Sequence, residues 1–243
     1  MPNVLILGAS SDLSQSIAEI YAKNGNNLWL AGRDLDFLSS QKRDLEIRFS
    51  ISAMIFYWDA GDFKSISFFL DNLPNIPDIT FYVAGYLGSD QPLTEKYEEI
   101  KKIMDSNFLG AVSIFNELAL RLKLQKSGTL IGISSVAGDR GRQSNFLYGS
   151  AKAGFTAYLS GLRNALFPFG VHVMTVKPGF MFTSMTEGLN LPKVLTLEPS
   201  KAAAIIYDAE KEKKNIIYVS FLWFYIMLII KHIPEFIFKR LKL

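Results

Sequence analysis

Short apolar runs alternate along the chain with longer segments in which apolar residues recur at helical spacing. The short runs are bounded by Gly, Asn, Asp or Pro, and several are apolar throughout, as strands covered on both faces tend to be. We predict strands at residues 3–8, 27–31, 52–58, 79–84, 128–134, 172–177 and 216–219. We predict helices at about residues 12–24, 34–49, 62–72, 95–125, 146–167 and 199–213.

This strict alternation of strands and helices indicates the fold class. Right-handed crossovers through helices place parallel strands in one sheet with helices on both faces. We therefore expect an α/β fold with a doubly wound, Rossmann-type parallel sheet of seven strands. Residues 1–220 are expected to form this domain, and residues 221–243 an apolar and basic helical tail.

Composition excludes several kinds of chemistry. The chain has no cysteine and only two histidines, His172 and His232, so we expect no disulfide, no thiolate catalysis and no metal site. Residues 211–243 carry seven Lys or Arg and two Asp or Glu, so the net charge of +3 comes from the tail. The body has no basic stripe typical of nucleic-acid binding. The N-terminus has no basic segment typical of a signal peptide, and we expect a cytoplasmic location.

A turn of small residues follows the first predicted strand. Such a turn before a helix lets backbone amides and the helix N-terminus contact a pyrophosphate. The candidate cofactor-binding residues are Gly8, Ser10, Ser11, Asp12 and Leu13. Only Gly8 is left of the three-glycine pattern, with Asp12 and Ser14 at the other two positions. An ordinary tight turn is therefore an equally good interpretation.

The ends of the second and third strands bear on the choice of nucleotide. The position that is acidic in NAD-binding folds is Gly32 here, and Arg33 follows it, which favours NADP(H) with NAD(H) as the alternative. Arg33 is otherwise a solvated residue, and Asp34 an N-cap of the next helix. Asp59 and Ala60 lie where an adenine amino group could be held, although Asp59 reads equally well as a helix N-cap.

Four polar residues between positions 107 and 152 carry the strongest signal. Ser135 closes a strand, Tyr148 follows it by thirteen residues, and Lys152 comes four residues later. Asn107 lies forty-one residues before Tyr148. With these spacings the sequence resembles the short-chain dehydrogenase/reductase family.

The resemblance implies a carbonyl reductase that uses a nicotinamide cofactor. Tyr148 would donate a proton to the carbonyl oxygen, and an ammonium on Lys152, one helical turn away, would lower the phenol pKa from about 10. Ser135 would hydrogen-bond the substrate oxygen as charge develops there. Asn107 would hold a water near Lys152 and so extend a proton relay.

The same resemblance assigns further residues to the cofactor. The segment after the fourth strand and the segment after the sixth would contact the nicotinamide half. The candidates are Ala84, Gly85, Pro178, Gly179 and Thr183, together with Tyr148 and Lys152. Tyr82 and Val83 replace the usual pair of asparagines, and we expect that change to remove a hydrogen bond that braces the sheet.

An uncharged run of fifteen residues, 216–230, leads into the tail. The last strand takes 216–219, which leaves too few apolar residues to cross a bilayer, because a spanning helix needs about 20. After Pro234 the apolar residues Phe236, Ile237, Phe238 and Leu241 are mixed with the basic residues Lys239, Arg240 and Lys242. This pattern favours an interfacial helix on an anionic membrane, with an oligomer interface or a cover for the sheet edge as the alternative.

Two segments, 135–146 and 226–241, resemble the decaprenylphosphoryl keto-erythropentose 2-reductase group. That resemblance implies a polyprenyl-phosphate 2-keto-pentose as substrate, a flavin oxidase as partner, and a peripheral position on the inner face of the membrane. Arg140 and Arg142 would bind the phosphodiester, or else form a salt-bridged subunit loop.

Two other functions stay open. One is the reduction of a soluble or acyl-chain carbonyl, with the tail used to form a homo-oligomer. The other is a catalytically silent dinucleotide-binding scaffold.

Overall fold

The computed structural model describes residues 1–88 and 96–241, and its elements alternate as the sequence predicts. The strands are β1 (Asn3–Leu7), β2 (Asn27–Gly32), β3 (Ala53–Tyr57), β4 (Ile79–Tyr82), β5 (Thr129–Ile133), β6 (His172–Lys177), β7 (Phe180–Met181), β8 (Thr196–Leu197) and β9 (Ile216–Tyr218). The helices are α1 (Asp12–Lys23), α2 (Leu35–Phe49), α3 (Ile66–Asp71), α4 (Tyr97–Met104), α5 (Gly110–Gln125), α6 (Phe146–Leu166), α7 (Pro199–Lys211), α8 (Phe221–His232) and α9 (Glu235–Phe238).

Seven of the strands form one parallel sheet in the order β3-β2-β1-β4-β5-β6-β9. Leu7 at the end of β1 lies opposite Ala31 on one side and Tyr82 on the other. The chain adds β2 and β3 on one side of β1 and then returns to add β4 on the other side, so the switch point lies between β1 and β4. A crevice outside the carboxyl ends of the strands is expected at such a switch point. The predicted doubly wound sheet is confirmed.

Side chains from each strand feed two hydrophobic layers, one on each face of the sheet. Val4 and Ile6 of β1 pack in the layer with Ile17 of α1. Leu5 and Leu7 pack in the opposite layer, which includes residues of α5 and α6. Because both faces are covered, these strands are apolar at most positions, which is the pattern that the sequence shows.

Two predicted helices are interrupted. The predicted helix at 62–72 begins as a tight turn, with Asp62 accepting a hydrogen bond from the Lys64 amide, before α3 starts. Asp59 is therefore not a helix N-cap; its carboxylate accepts a hydrogen bond from the Gly61 amide at 2.9 Å. The predicted helix at 95–125 divides into α4, one wide π-helical turn at Asp105–Leu109, and α5. Its first predicted residue, 95, lies outside the described residues.

The tail packs against the sheet domain. Trp223 and Met227 of α8 are buried in a small cluster with Val136. Within residues 1–88 and 96–241, no helix is long and apolar enough to cross a membrane. Residues 242 and 243, which complete the predicted tail, are not among the described residues.

Candidate active site

Gly8 brings the end of β1 against the start of the segment that follows β4. Its φ is +86°, and a Cβ at this position would lie 2.7 Å from the Ala84 backbone nitrogen. Only glycine adopts this conformation and this close approach without strain. Gly8 therefore lets the turn after β1 pack closely against the backbone that follows β4.

Serine hydroxyls brace the turn that leads into α1. Ser11 caps the helix by accepting a hydrogen bond from the Ser14 amide at 3.2 Å. The buried Ser14 hydroxyl donates to the Gly8 carbonyl at 2.7 Å, at a position where the common pattern has glycine. Ser10 is exposed, whereas the Leu13 side chain is buried in the core. The amides of Asp12 and Leu13, in the first turn of α1, have no intrahelical acceptor, so the turn suits a pyrophosphate.

Asp12 has a different partner from the one that we expected. Its carboxylate accepts hydrogen bonds from the Ser184 amide at 2.8 Å and from the Ser184 hydroxyl at 2.9 Å. The side chain therefore anchors the segment after β7 and leaves only the backbone of Asp12 for a phosphate. Thr183, the neighbour of Ser184, donates its amide to the Thr186 hydroxyl at 3.2 Å.

The residues that the sequence predicts for the adenosine half of the cofactor follow β2 and β3. Arg33 is exposed at the end of β2 and makes no hydrogen bond or ion pair with any residue that the structure describes. Asp34 caps α2 by accepting from the Phe37 amide at 2.9 Å, so its N-cap interpretation is confirmed. Asp59 and Ala60 follow the neighbouring strand and are partly exposed. Arg33 therefore has a guanidinium available to a ligand.

Ser135, Tyr148 and Lys152 come together at the carboxyl end of β5. The Ser135 hydroxyl is close enough to the Tyr148 phenol to act to lower its pKa. The Lys152 Nζ lies 5.7 Å from the centre of the Tyr148 ring and donates to the Ile133 carbonyl at 2.9 Å. The Ser135 hydroxyl accepts from the Ala137 amide at 3.1 Å, which leaves its own proton to donate. The predicted grouping of these residues agrees with the structure.

Asn107 completes the group from the π-helical turn. The side chain is fully buried, and its amide donates to the carbonyls of Tyr86 at 2.7 Å and Ile103 at 2.8 Å. A Cβ added to Gly85 would lie 2.9 Å from the Asn107 Oδ1 and 3.5 Å from the Lys152 Nζ. The absence of a side chain at Gly85 therefore lets Asn107 and Lys152 border the same space. Single π-helical turns are frequent at functional sites.

Tyr82 corrects one expectation. The phenol stands at the position of the family's first asparagine, and its hydroxyl donates to the Ser106 carbonyl at 2.8 Å. This bond joins β4 to the turn that carries Asn107. The bracing hydrogen bond is therefore replaced rather than lost, because the longer phenol reaches the next element.

Burial controls the ionisation of the catalytic pair. It raises the pKa of Tyr148 to about 12, while the hydrogen bond from Ser135 acts in the opposite direction. Burial also lowers the pKa of Lys152 to about 7. Our expectation that an ammonium on Lys152 lowers the phenol pKa is therefore wrong for the cofactor-free protein. Lys152 is about half neutral near pH 7, so it cannot outweigh the desolvation of Tyr148.

Arg140 is not directed at a substrate. Its guanidinium donates to the carbonyls of Ile230 at 2.7 Å, Lys231 at 3.2 Å and Ile233 at 2.6 Å, and it forms an ion pair with Glu235 at 2.9 Å. The expectation that it binds a phosphodiester is therefore corrected. The last carbonyls of a helix need donors from outside the helix, and Arg140 supplies them to α8.

Arg142 differs from Arg140. Its Nε is buried without a hydrogen-bond partner among the described residues, and burial lowers the pKa of the guanidinium while Asp139 acts against that effect. A desolvated cation without a hydrogen-bonded anion is costly unless a ligand supplies one. Of the two predicted arginines, Arg142 is the one left to bind a substrate.

Trp223 adjoins the site and was not predicted from the sequence. Its indole fills the space beside Gly179, and its Nε1 donates to the Leu195 carbonyl at 3.0 Å. Pro178, just before Gly179, accepts a hydrogen bond from the Val136 amide at 3.0 Å. The sequence offers only a tryptophan within an apolar run, and such a residue is equally well interpreted as part of the hydrophobic core.

The lowered pKa of Lys152 predicts how stability varies with pH. Between about pH 7 and 10.5 the unfolded chain carries the lysine proton and the folded chain does not, so the free energy of unfolding rises with pH. In Lys152→Met this contribution is absent. Urea denaturation at pH 7 and pH 9 should show the wild type gaining on the variant by roughly 1.4 kcal/mol per pH unit. A difference that stays constant with pH would show that Lys152 is protonated in the fold.

Comparison with known proteins agrees with this geometry. The sequence profile of the short-chain dehydrogenase family matches residues 2–193. An uncharacterised oxidoreductase of Mycobacterium tuberculosis is 30% identical over 241 residues, which cover 98% of this chain and 96% of that one. A 3-oxoacyl-[acyl-carrier-protein] reductase of Rickettsia prowazekii is 29% identical and covers 76% of this chain and 75% of its own.

A solved structure shows the same fold. The short-chain dehydrogenase from Sphingobium yanoikuyae in complex with NADPH superimposes with a TM-score of 0.84 over 97% of both chains, at 21% identity. Sheet order and the profile match lead to one assignment. The chain belongs to the short-chain dehydrogenase family and is an oxidoreductase.

Proposed function

We propose that this chain reduces a ketone to a secondary alcohol with NAD(P)H. The observation that carries the proposal is the grouping of Ser135, Tyr148 and Lys152 at the end of β5, with Asn107 across Gly85 from the lysine. The turn at Gly8 and the first turn of α1 fit the pyrophosphate of the cofactor. A silent scaffold would have no need of this arrangement.

Each residue has a distinct role in the proposed reaction. Bound NAD(P)H supplies the hydride that reduces the carbonyl carbon. The Ser135 hydroxyl, oriented by the Ala137 amide, donates a hydrogen bond to the carbonyl oxygen. Tyr148 delivers the proton to that oxygen, and protonated Lys152 stabilises the phenolate that remains. Asn107 extends the proton path from Lys152.

Arg33 makes NADP(H) the preferred cofactor, with NAD(H) as the alternative. The exposed guanidinium at the end of β2 suits a 2′-phosphate. A structural neighbour of this fold was solved with NADPH, and a reductase from Brucella melitensis was solved with NAD.

For the substrate we propose a 2-keto-pentose carried on a polyprenyl phosphate. Arg142 supports this proposal, because its partly buried guanidinium suits a phosphodiester oxygen. The buried Asn145 Oδ1 also has no hydrogen-bond partner in the described part of the chain. This oxygen could accept a hydrogen bond from a sugar hydroxyl. In this proposal a flavin oxidase supplies the ketone by oxidising the corresponding alcohol.

The tail suits contact with a lipid surface. Large apolar side chains of α8 and α9 are exposed, including Phe221, Ile229 and Phe236. Lys231, Lys239 and Arg240 are exposed beside them and favour anionic headgroups. We therefore place the protein on the inner face of the membrane as a peripheral enzyme, where a polyprenyl substrate would be reached.

Reduction of a soluble or acyl-chain carbonyl is the alternative. The 3-oxoacyl reductase from Rickettsia prowazekii favours it, since that relative aligns over most of both chains. In that case the apolar face of the tail would join copies of the chain into a homo-oligomer. Exposed Leu120 and Leu124 on α5 offer a second face for such contacts.

Tyr148→Phe tests the proton donor. We expect ketone-dependent NADPH oxidation to fall at least about a hundredfold, because the phenol proton is lost, while the Kd for NADPH changes little. Tyr158→Phe is the matched control, since within the described residues this hydroxyl, on the same helix, bonds only the Val112 carbonyl. Equal turnover by Tyr148→Phe and wild type would exclude the proposed donor. A wild type that oxidises no NADPH with any ketone would favour the scaffold.

Arg142→Gln tests the substrate class. With a polyprenyl-phosphate 2-keto-pentose, KM should rise by about tenfold to a hundredfold, because a hydrogen-bonded charge pair is lost. KM for a small uncharged ketone should stay the same, and Arg142→Lys should restore the phosphate substrate only in part. Equal effects on the two substrates would contradict a phosphate-binding role.

The double variant Ile229→Ser, Phe236→Ser tests the lipid surface. These side chains are 67% and 63% exposed, so the change should leave the fold intact. We expect less cosedimentation with vesicles of phosphatidylglycerol and phosphatidylcholine. Leu124→Ser, at an 84% exposed position of α5, is the control. Unchanged sedimentation together with a smaller assembly in gel filtration would assign the face to an oligomer instead.

A further inference from the structure

Arg140 ties the tail to the segment that carries the catalytic serine. Its guanidinium gathers three carbonyls at the C-terminal end of α8, pairs with Glu235 and lies 3.7 Å from the centre of the Phe238 ring. The side chain is only 15% exposed. One side chain therefore makes four hydrogen bonds and a ring contact between the segment after β5 and the tail.

The segment 135–140 is also held from the side of the sheet. The Asp139 carboxylate accepts from the Lys177 ammonium at 2.5 Å and from the Tyr218 hydroxyl at 2.6 Å. The Val136 amide donates to the Pro178 carbonyl. Ser135 therefore begins a short segment that lies between the strands β6 and β9 on one side and α8 on the other.

Trp223 joins the same helix to the cofactor side of the site. Its ring fills the space at Gly179 and packs against Phe180, and with Met227 it buries Val136, the residue after Ser135. Through its Nε1 it also holds the Leu195 carbonyl, at the end of the segment that follows β7. One face of α8 thus contacts both the serine segment and the proposed nicotinamide segment.

We infer that Arg140 is a positioning residue, which fixes the Ser135 hydroxyl by clamping α8 onto the segment 135–140. In this inference, α8 is part of the structure that forms the active site. The inference rests on the proposed function, because it assigns Arg140 a part in the same reduction. A misplacement of about 1 Å at a catalytic group lowers the rate by as much as about a hundredfold. A small shift of the segment 135–140 after loss of Arg140 would therefore be enough to slow the reaction.

Arg140→Ala tests this inference, with Arg163→Ala as the matched control. Arg163 also donates to backbone carbonyls, those of Val173 and Asn215, but it lies near the other end of β6. Both variants should lower the melting temperature. With a small uncharged ketone, kcat of Arg140→Ala should fall about tenfold or more, while KM for NADPH stays within about twofold. Arg163→Ala should keep kcat within about twofold of wild type, and Arg140→Lys should recover part of the loss.

Hydrogen exchange separates failure of this inference from failure of the proposed function. The amides of residues 136, 138 and 139 are hydrogen-bonded within the segment or to Pro178. They should exchange faster in Arg140→Ala and at the wild-type rate in Arg163→Ala. Wild-type kcat together with wild-type exchange in Arg140→Ala would overturn the inference. If the wild type reduces no ketone, the proposed function fails and exchange alone decides whether Arg140 holds the segment. If Arg140→Ala does not fold, the same two measurements on Arg140→Lys decide the matter.

Discussion

The site depends on one constraint, which is that the Lys152 amine is buried beside the Tyr148 phenol. The Lys152 amine donates a hydrogen bond to the Ile133 carbonyl at the end of β5. It lies near the Tyr148 ring and borders the same space at Gly85 as the Asn107 side chain. A charged amine in that place is costly, and the lowered pKa of Lys152 reflects this cost. Each surrounding element serves this arrangement: glycine at position 85 leaves the space, and the π-helical turn brings Asn107 to it.

The chain keeps the geometry of its family while it replaces several of the usual residues. Ser14 stands where a glycine is common and uses its hydroxyl to tie the turn to Gly8. Tyr82 stands where an asparagine is common and bonds to the turn beside Asn107. In both cases a larger polar side chain donates a hydrogen bond to a backbone carbonyl near the site. Divergence at these positions therefore changes the bracing of the site and not its chemistry.

The sequence predicts the fold and the catalytic group because both depend on local patterns. Strand lengths, helical spacing, the four-residue step from Tyr148 to Lys152 and the N-cap at Asp34 are all readable within one or two elements. The failures involve partners that are distant in sequence. From the sequence, Arg140 is predicted to bind a phosphate, but in the structure it binds the end of α8. Asp12 is predicted to bind the cofactor, but its carboxylate binds Ser184. The direction in which the Tyr148 pKa shifts from its ordinary value also depends on burial, which the spacing of residues in the sequence does not reveal.

The tail and the catalytic group are therefore parts of one structure, since α8 packs on the segment that begins with Ser135 and turns its other face outward. The central claim, however, concerns Lys152 itself. The most direct measurement is a pH titration of the lysine side-chain resonances by NMR in the cofactor-free protein, with Lys152→Met used to assign the signal. The account predicts that one lysine titrates at about pH 7. A Lys152 signal that titrates near the ordinary lysine value of about 10.4 would contradict it.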